Sequence, residues 1–275
     1  MQDFIREALR VRFNVNVLGN GSTTLLFVHG FGCNQAMWTP LAELLSKQFR
    51  LVLIDLIGCG LSDYAAYDAS RYTSLDGYVE DVLQIVDEVR GTGDLVLVGH
   101  SVGSAICLAA SLRAAKPVDA LVLVAPSPCF LNDADYRGGF ERSHIDAIID
   151  AMHDNREIWA ADFASLVVGE GDRSKFARDF VQSFCSTHEP AALQFARLTF
   201  LVDQRAELVQ VRTPTFILQS LRDPLAPVAV GEYMHRQIAH SVLGLVDDIG
   251  HSPHLTAPDH CAQAVRKYLA SQGIF

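Results

Sequence analysis

The segment that most constrains how this chain can fold is residues 99–103, which read Gly-His-Ser-Val-Gly. The residues before it, 95–98, are Leu-Val-Leu-Val, an apolar run that predicts a buried strand. Small apolar residues follow at 104–110 and predict a buried helix. Because a sharp turn from strand to helix leaves little room beside the serine, glycine is needed two residues before it and two after it. The pattern therefore predicts that Ser101 is a nucleophile at the N-terminus of a helix.

Strands and helices alternate through the first half of the chain. Short apolar runs predict buried strands at 25–28, 51–54, 95–98 and 121–124. Apolar residues also recur at helical spacing over residues 38–48 and 75–89. Strands that are apolar on both sides, separated by helices, predict an α/β fold with a mostly parallel sheet covered on both faces.

This alternation stops after residue 126. Four helical stretches follow, at 143–152, 156–168, 174–184 and 190–202. Strands return at 214–219 and 242–246, with helices near 228–237 and 258–270. We therefore predict a core formed by residues 1–126 and 206–275, interrupted by a helical cap over residues 127–205.

Charge and composition limit the partners of the chain. Its 275 residues carry a formal net charge of −10, and no run of Lys or Arg occurs. Because phosphate binding needs clustered positive charge, we expect neither nucleic acid nor a membrane surface as a partner. The first residues have no apolar stretch typical of a secretory signal, and no apolar run is long enough to span a bilayer. We expect a cytoplasmic protein.

The cysteines, histidines and glycines indicate no cofactor. The six cysteines form no Cys-x-x-Cys pair, and no histidine pair has zinc-ligand spacing with a third ligand. Gly-x-Gly segments begin at Gly30 and Gly58, but Gln35 and Asp63 stand where a dinucleotide fingerprint has its third glycine. No Gly-Lys dipeptide of a phosphate-binding loop occurs. We expect neither a metal nor a cofactor.

A serine hydroxyl becomes a nucleophile when a base takes its proton and a carboxylate orients that base. Asp223 and His251 each follow a predicted strand and come after Ser101 in the order acid, then histidine. Asp133 is the main rival for the acid, and His254 is the rival for the base. We favour His251, because the glycine before it permits a close approach to the serine.

Two backbone amides are candidates for an oxyanion hole. The loop after the strand at 25–28 reads His-Gly-Phe-Gly over residues 29–32. A loop in this place supplies one N–H donor, here Phe31, and the residue after the nucleophile, Val102, supplies the other. Each donor can stabilise a transition state by about 3 kcal/mol.

Aromatic residues are frequent in the predicted cap. Their helical spacing is typical of packing residues, and they are Phe140, Trp159, Phe163, Phe176, Phe180, Phe184, Phe195 and Phe200. A cap over a cleft must also line that cleft, so we expect some of them to form an apolar pocket with Phe31. The ligand should be small and hydrophobic.

Seven segments of the chain carry a family resemblance. They are residues 29–38, 71–78, 99–103, 126–133, 138–141, 184–187 and 233–235. Pro-Ser-Pro-Cys at 126–129 and Phe-Cys-Ser-Thr at 184–187 are much more specific than Gly-x-Ser-x-Gly. In these segments the chain resembles the RsbQ-like α/β-hydrolases of bacterial stress response, which are related to the plant karrikin and strigolactone receptors.

The resemblance implies an α/β-hydrolase fold with an inserted four-helix cap and a triad of Ser101, Asp223 and His251. It implies a pocket lined by Phe31, Phe140, Trp159, Phe163 and Phe195. The implied function is hydrolysis of a small hydrophobic ester or lactone by a signalling serine hydrolase that serves a separate PAS-domain phosphatase or kinase. The alternatives are a metabolic carboxylesterase or lactonase without a partner, and a ligand-binding receptor with slow hydrolysis.

Overall fold

The structure is a computed structural model that describes residues 5–169 and 174–274. In that part of the chain one sheet is formed by β1 (Asn16–Leu18), β2 (Thr24–Val28), β3 (Arg50–Leu53), β4 (Leu95–His100), β5 (Ala120–Val124), β6 (Thr215–Arg222) and β7 (Ser241–Ile249). The spatial order is β1-β3-β2-β4-β5-β6-β7. Strand β1 runs antiparallel to β3, and every other pair is parallel.

Helices lie on both faces of this sheet and in the segment between β5 and β6. They are α1 (Glu7–Arg12), α2 (Thr39–Leu45), α3 (Asp76–Val89), α4 (Val102–Arg113), α5 (Arg142–Asp154), α6 (Arg156–Val168), α7 (Ser174–Ser186), α8 (Glu189–Leu201), α9 (Val228–Gln237), α10 (Pro253–Thr256) and α11 (Pro258–Ser271). Helices α2 and α11 pack on one face, and α3, α4 and α9 pack on the other. The predicted α/β-hydrolase fold is confirmed. Helices α1 and α10 were not predicted, because they are too short to show a helical period.

The central strands are buried on both sides. Every residue of β2, β4 and β5 is buried. In β2, Leu26 packs into the apolar cluster on one face, whereas Leu25 and Phe27 pack into the cluster on the other. Each such side chain stabilises the fold by about 1.5–3 kcal/mol. This two-sided burial explains the continuous apolar runs in the sequence and makes the sheet a firm base for the loops at its carboxyl edge.

Four helices, α5 to α8, lie between β5 and β6 along the chain. Their apolar faces join the core cluster on the side of α3 and α4. Pro190 lies in the first turn of α8, where its missing N–H costs no helical hydrogen bond. The Arg156 guanidinium links α6 to the end of α7, because its Nη2 donates to the carbonyls of Phe184 (3.2 Å) and Thr187 (3.1 Å). Within the described ranges, no helix is both long and apolar enough to cross a bilayer.

Candidate active site

Ser101 lies at the turn between β4 and α4. Its φ of +53° is in a region that residues with a side chain rarely adopt. A Cβ on Gly99 would lie 2.5 Å from the Gly103 carbonyl oxygen, and a Cβ on Gly103 would lie 2.3 Å from the Val28 carbonyl oxygen. Only glycine fits at either position, so the flanking glycines allow the close backbone contacts that fix the serine.

The structure brings Ser101, Asp223 and His251 together. Ser101 Oγ lies 2.8 Å from His251 Nε2, and His251 Nδ1 lies 2.8 Å from Asp223 Oδ2. The side chains of His251 and Asp223 are 4% and 0% exposed. Since a carboxylate only accepts, Nδ1–H donates to Asp223, and the lone pair of Nε2 faces the serine hydroxyl.

Three groups hold the Asp223 carboxylate. Its Oδ1 accepts from the N–H of Leu225 (2.8 Å) and of Ala226 (3.0 Å). Its Oδ2 also accepts from Gln219 Nε2 at 3.0 Å. Pro224 has no N–H of its own, and the two donors come from the residues after it. Sequence reasoning missed Gln219, although an amide in an apolar strand four residues before the acid was a usable signal.

The backbone of His251 is held from two sides. Its N–H donates to the Val167 carbonyl on α6 at 2.9 Å, and its own carbonyl accepts from His100 Nε2 at 2.9 Å. Gly250 has a φ of +105°, and a Cβ there would lie 2.6 Å from the Gly169 amide nitrogen. The position of His251 therefore depends on the last turn of α6 as well as on the sheet.

The rival acid and base lie elsewhere. The Asp133 side chain is 60% exposed and forms an ion pair with Arg205 at 3.1 Å. The His254 ring packs 4.3 Å from the Trp38 ring and 4.4 Å from the His100 ring, measured between centroids. Burial lowers the pKa of His254 to about 3, so it is neutral. Neither rival hydrogen bonds to the serine–histidine pair.

The two predicted oxyanion donors lie on elements next to the serine. Val102 begins α4, so its N–H has no carbonyl acceptor one helical turn earlier. Phe31 follows β2, the direct neighbour of β4. A Cβ on Gly30 would lie 3.2 Å from the Ser101 Cβ, so the loop that carries Phe31 lies against the turn.

A narrow, partly open cavity, with about 20 Å³ accessible to the centre of a water-sized sphere, lies beside Ser101. Its wall consists of Phe31, Cys33, His100, Ser101, Phe130, Phe163, Val167, Thr199, Phe200, Leu225 and His251. Ser101 itself is only 6% exposed. The wall is mostly apolar and the cavity is narrow, which suits a small, largely hydrophobic ligand.

The structure places the five predicted pocket residues in two layers. Phe31 and Phe163 line the cavity. Trp159 and Phe195 pack behind Phe31, with ring centroids 6.0 and 5.9 Å from its ring. Phe140 packs on two phenylalanines of the wall, at 6.3 and 6.5 Å, and does not reach the cavity. These three residues support the wall because the inner layer already fills the space in front of them.

Phe130 and Phe200 complete the aromatic wall instead. Phe130 lies after β5, and Phe200 lies near the end of α8. Their rings pack edge-to-face, with centroids 5.6 Å apart. Sequence reasoning included Phe200 among the cap aromatics but did not assign it to the pocket, since helical spacing marks buried positions without telling which of them face the serine.

The other reactive groups near the cavity do not form a second centre. Burial raises the pKa of the Cys33 thiol to about 12, so the thiol stays protonated and is a poor nucleophile. Among the described residues, no group of three or more His, Cys, Asp or Glu side chains could hold a metal ion.

The comparisons with known proteins agree with this geometry. The model of the alpha/beta hydrolase family matches residues 25–264, and the chain belongs to that family. It is 37% identical to the strigolactone esterase of Arabidopsis thaliana, over 98% of both chains. It is 36% identical to a karrikin insensitive 2 receptor of Petunia hybrida, over 90% of this chain and 91% of the receptor.

A solved structure shows the same likeness. A hydrolase from Oleispira antarctica is 36% identical, with a TM-score of 0.92 and coverage of 98% of this chain and 99% of that one. The family, the strigolactone esterase and this hydrolase together support an esterase-type hydrolase function. The relation to the karrikin and strigolactone proteins is confirmed, whereas the narrower RsbQ-like assignment stays a prediction.

Proposed function

We propose that this protein is a serine esterase for a small, largely hydrophobic ester or lactone. Ser101 is the nucleophile, His251 the general base, and Asp223 the group that orients the histidine. One observation carries the proposal: a continuous hydrogen-bonded chain runs from Ser101 Oγ through His251 to Asp223, with both contacts at 2.8 Å, beside a narrow, mostly apolar cavity.

In the first half of the reaction, the serine becomes acylated. Ser101 Oγ forms a bond to the carbonyl carbon while its proton passes to His251 Nε2, and the carbonyl π electrons move to the oxygen. When this intermediate collapses, the bond to the leaving oxygen breaks. The leaving oxygen takes the proton from His251, and an alcohol departs; in a lactone it stays attached as a hydroxyl group.

In the second half, water releases the acid. His251 takes a proton from the water while the water oxygen attacks the acyl carbon, and Ser101 Oγ leaves with that proton. The amides of Phe31 and Val102 bind the negative oxygen in both halves. Loss of one such donor costs about 3 kcal/mol of transition-state stabilisation.

A second candidate is a signalling role, in which ligand turnover serves a separate PAS-domain phosphatase or kinase. The Val167 carbonyl of α6 accepts from the His251 N–H, so a change in the cap would move the catalytic base. The relative from Petunia hybrida is named as a receptor. If this role is correct, a PAS-domain protein encoded beside the gene should bind the wild-type protein more tightly while substrate is being hydrolysed. Equal affinity of that protein for the wild type and for Ser101→Ala in the presence of substrate would contradict it.

The Ser101→Ala variant tests the esterase proposal. We expect kcat for a short p-nitrophenyl ester to fall by about 10⁶-fold, because the nucleophile is lost. Labelling by a fluorophosphonate should also disappear. Ser104→Ala is the matched control, since Ser104 is also buried but donates to the Gly99 carbonyl (2.8 Å) and should keep most of the activity. Full activity of Ser101→Ala would contradict the mechanism.

A further inference from the structure

Thr199 lies in the cap wall of the cavity. It lies on α8 and is 2% exposed. The other cap residues of that wall, between β5 and β6 along the chain, are Phe130, Phe163, Val167 and Phe200, all of them apolar. Thr199 is therefore the polar side chain on the cap side, opposite a core side that carries Ser101.

The Thr199 hydroxyl has no hydrogen-bond partner among the described residues. A threonine within a helix often donates to a carbonyl one turn earlier. Thr187, at the end of α7, does so, since its hydroxyl donates to the Ser183 carbonyl at 3.4 Å. A buried hydroxyl without such a partner loses the hydrogen bonds it had in water, and a ligand oxygen placed beside it would restore one.

Of the other oxygen and nitrogen side chains of the wall, all but one nitrogen of His100 are already hydrogen bonded. Ser101 and His251 bond to each other, and His251 also bonds to Asp223. His100 donates through Nε2 to the His251 carbonyl. A Cβ on Gly30 would lie 2.6 Å from the other His100 nitrogen, Nδ1, so backbone covers that atom. Among the described wall residues, Thr199 therefore has the hydroxyl that no other protein group occupies.

We propose that Thr199 determines specificity by hydrogen bonding to a second oxygen of the substrate, remote from the carbonyl that Ser101 attacks. The preferred substrates are then small esters or lactones that carry an ether, carbonyl or hydroxyl oxygen on an otherwise apolar body. A hydroxyl both donates and accepts, so all three oxygen types fit. The inference rests on the proposed esterase function and narrows its substrate class.

Matched substrates test this inference. Methyl hexanoate is compared with three ethers of equal length, in which oxygen replaces the third, fourth or fifth carbon of the acyl chain. For each ether, kcat/KM is divided by that of methyl hexanoate, which removes general effects of a mutation. In Thr199→Val, of nearly equal volume, we expect this ratio to fall about threefold to tenfold for at least one ether. Thr199→Ala should show the same fall, and Thr199→Ser should retain the ratio.

Thr187→Val is the control, because it removes a cap hydroxyl that is already bonded and does not line the cavity. It should leave all three ratios unchanged. Equal ratios in wild type and Thr199→Val would overturn the inference while the esterase function stands. A wild type that hydrolyses none of the four esters, and that a fluorophosphonate does not label at Ser101, would overturn the proposed function itself.

Discussion

The two sides of the cavity are held in place by different interactions. On the sheet side, hydrogen bonds and close backbone contacts fix each proposed catalytic residue: glycine contacts at Ser101, two amides and the Gln219 side chain on Asp223, and at His251 a bond from His100 Nε2 and one to the Val167 carbonyl of α6. These interactions have strict distances and directions. A shift of a few tenths of an ångström would weaken them, so this side keeps a single geometry.

On the cap side, packed aromatic rings form the wall. The Phe31 ring has edge-to-face contacts with those of Trp159, Phe184, Phe195 and Phe200, with centroids 5.8–6.0 Å apart. Such contacts depend on the buried area and the shape of the rings more than on direction. Apolar cores therefore tolerate substitutions between side chains of similar volume. The comparison teaches that backbone geometry sets where the chemistry happens, while side-chain volume sets what can enter.

The largest effect is expected when the Phe200→Ala and Phe140→Ala variants are compared, because only one of the two residues lines the cavity. Phe200 lines the cavity, so its loss should enlarge the acyl site and shift kcat/KM toward longer acyl chains by about 10- to 100-fold. Phe140 lies behind the wall, so its loss should lower Tm and leave the chain-length profile unchanged. Kinetics over esters from acetate to octanoate would decide. A shifted profile in Phe140→Ala would mean that the wall has been assigned incorrectly.

The sheet side also contains buried neutral histidines, which predict acid sensitivity. Burial, and then the charge of His251, lower the pKa of His254 from 6.5 to about 3, and burial lowers that of His100 well below 6.5. Between about pH 6.5 and pH 3 the unfolded chain binds protons that the folded chain does not. The neutral histidines therefore favour the folded state fully above pH 6.5. As the pH falls, the free energy of unfolding decreases by up to about 1.4 kcal/mol per pH unit for each histidine.

His254→Gln sharpens this prediction. Without one of these buried histidines, the free energy of unfolding should decline less steeply between about pH 6.5 and about pH 4. Urea unfolding over that range measures both slopes. Parallel slopes for the wild type and the variant would show that His254 is not a buried neutral group.

The same contrast explains how much could be predicted from the sequence. Each proposed catalytic residue follows a strand, and strands are visible as apolar runs, so Ser101, Asp223 and His251 could be chosen from the sequence. The choice of His251 over His254 needed only the glycine before it. The structure gives that glycine a different role from the predicted one, because Gly250 has a positive φ and its close contact is with Gly169 at the end of α6, not with Ser101.

The cavity wall could not be predicted in the same way. Helical spacing shows that a cap phenylalanine is buried, but the angle between α8 and the sheet decides whether it faces Ser101. Phe200 therefore lines the cavity, whereas Phe195, on the same helix, packs behind Phe31. The unpartnered hydroxyl of Thr199 depends on tertiary packing as well, and no local pattern indicates it.

The most direct test of the catalytic assembly is the comparison of Asp223→Asn with Asp133→Asn. An amide at residue 223 would accept less well from the histidine and could favour the wrong tautomer, so we predict that kcat falls by about 10⁴-fold while Tm changes little. Asp133 is exposed and paired with Arg205, so its variant should keep nearly wild-type kcat. Wild-type kcat in a folded Asp223→Asn, or a severe loss in Asp133→Asn, would contradict the assignment of Ser101, His251 and Asp223 as the catalytic triad.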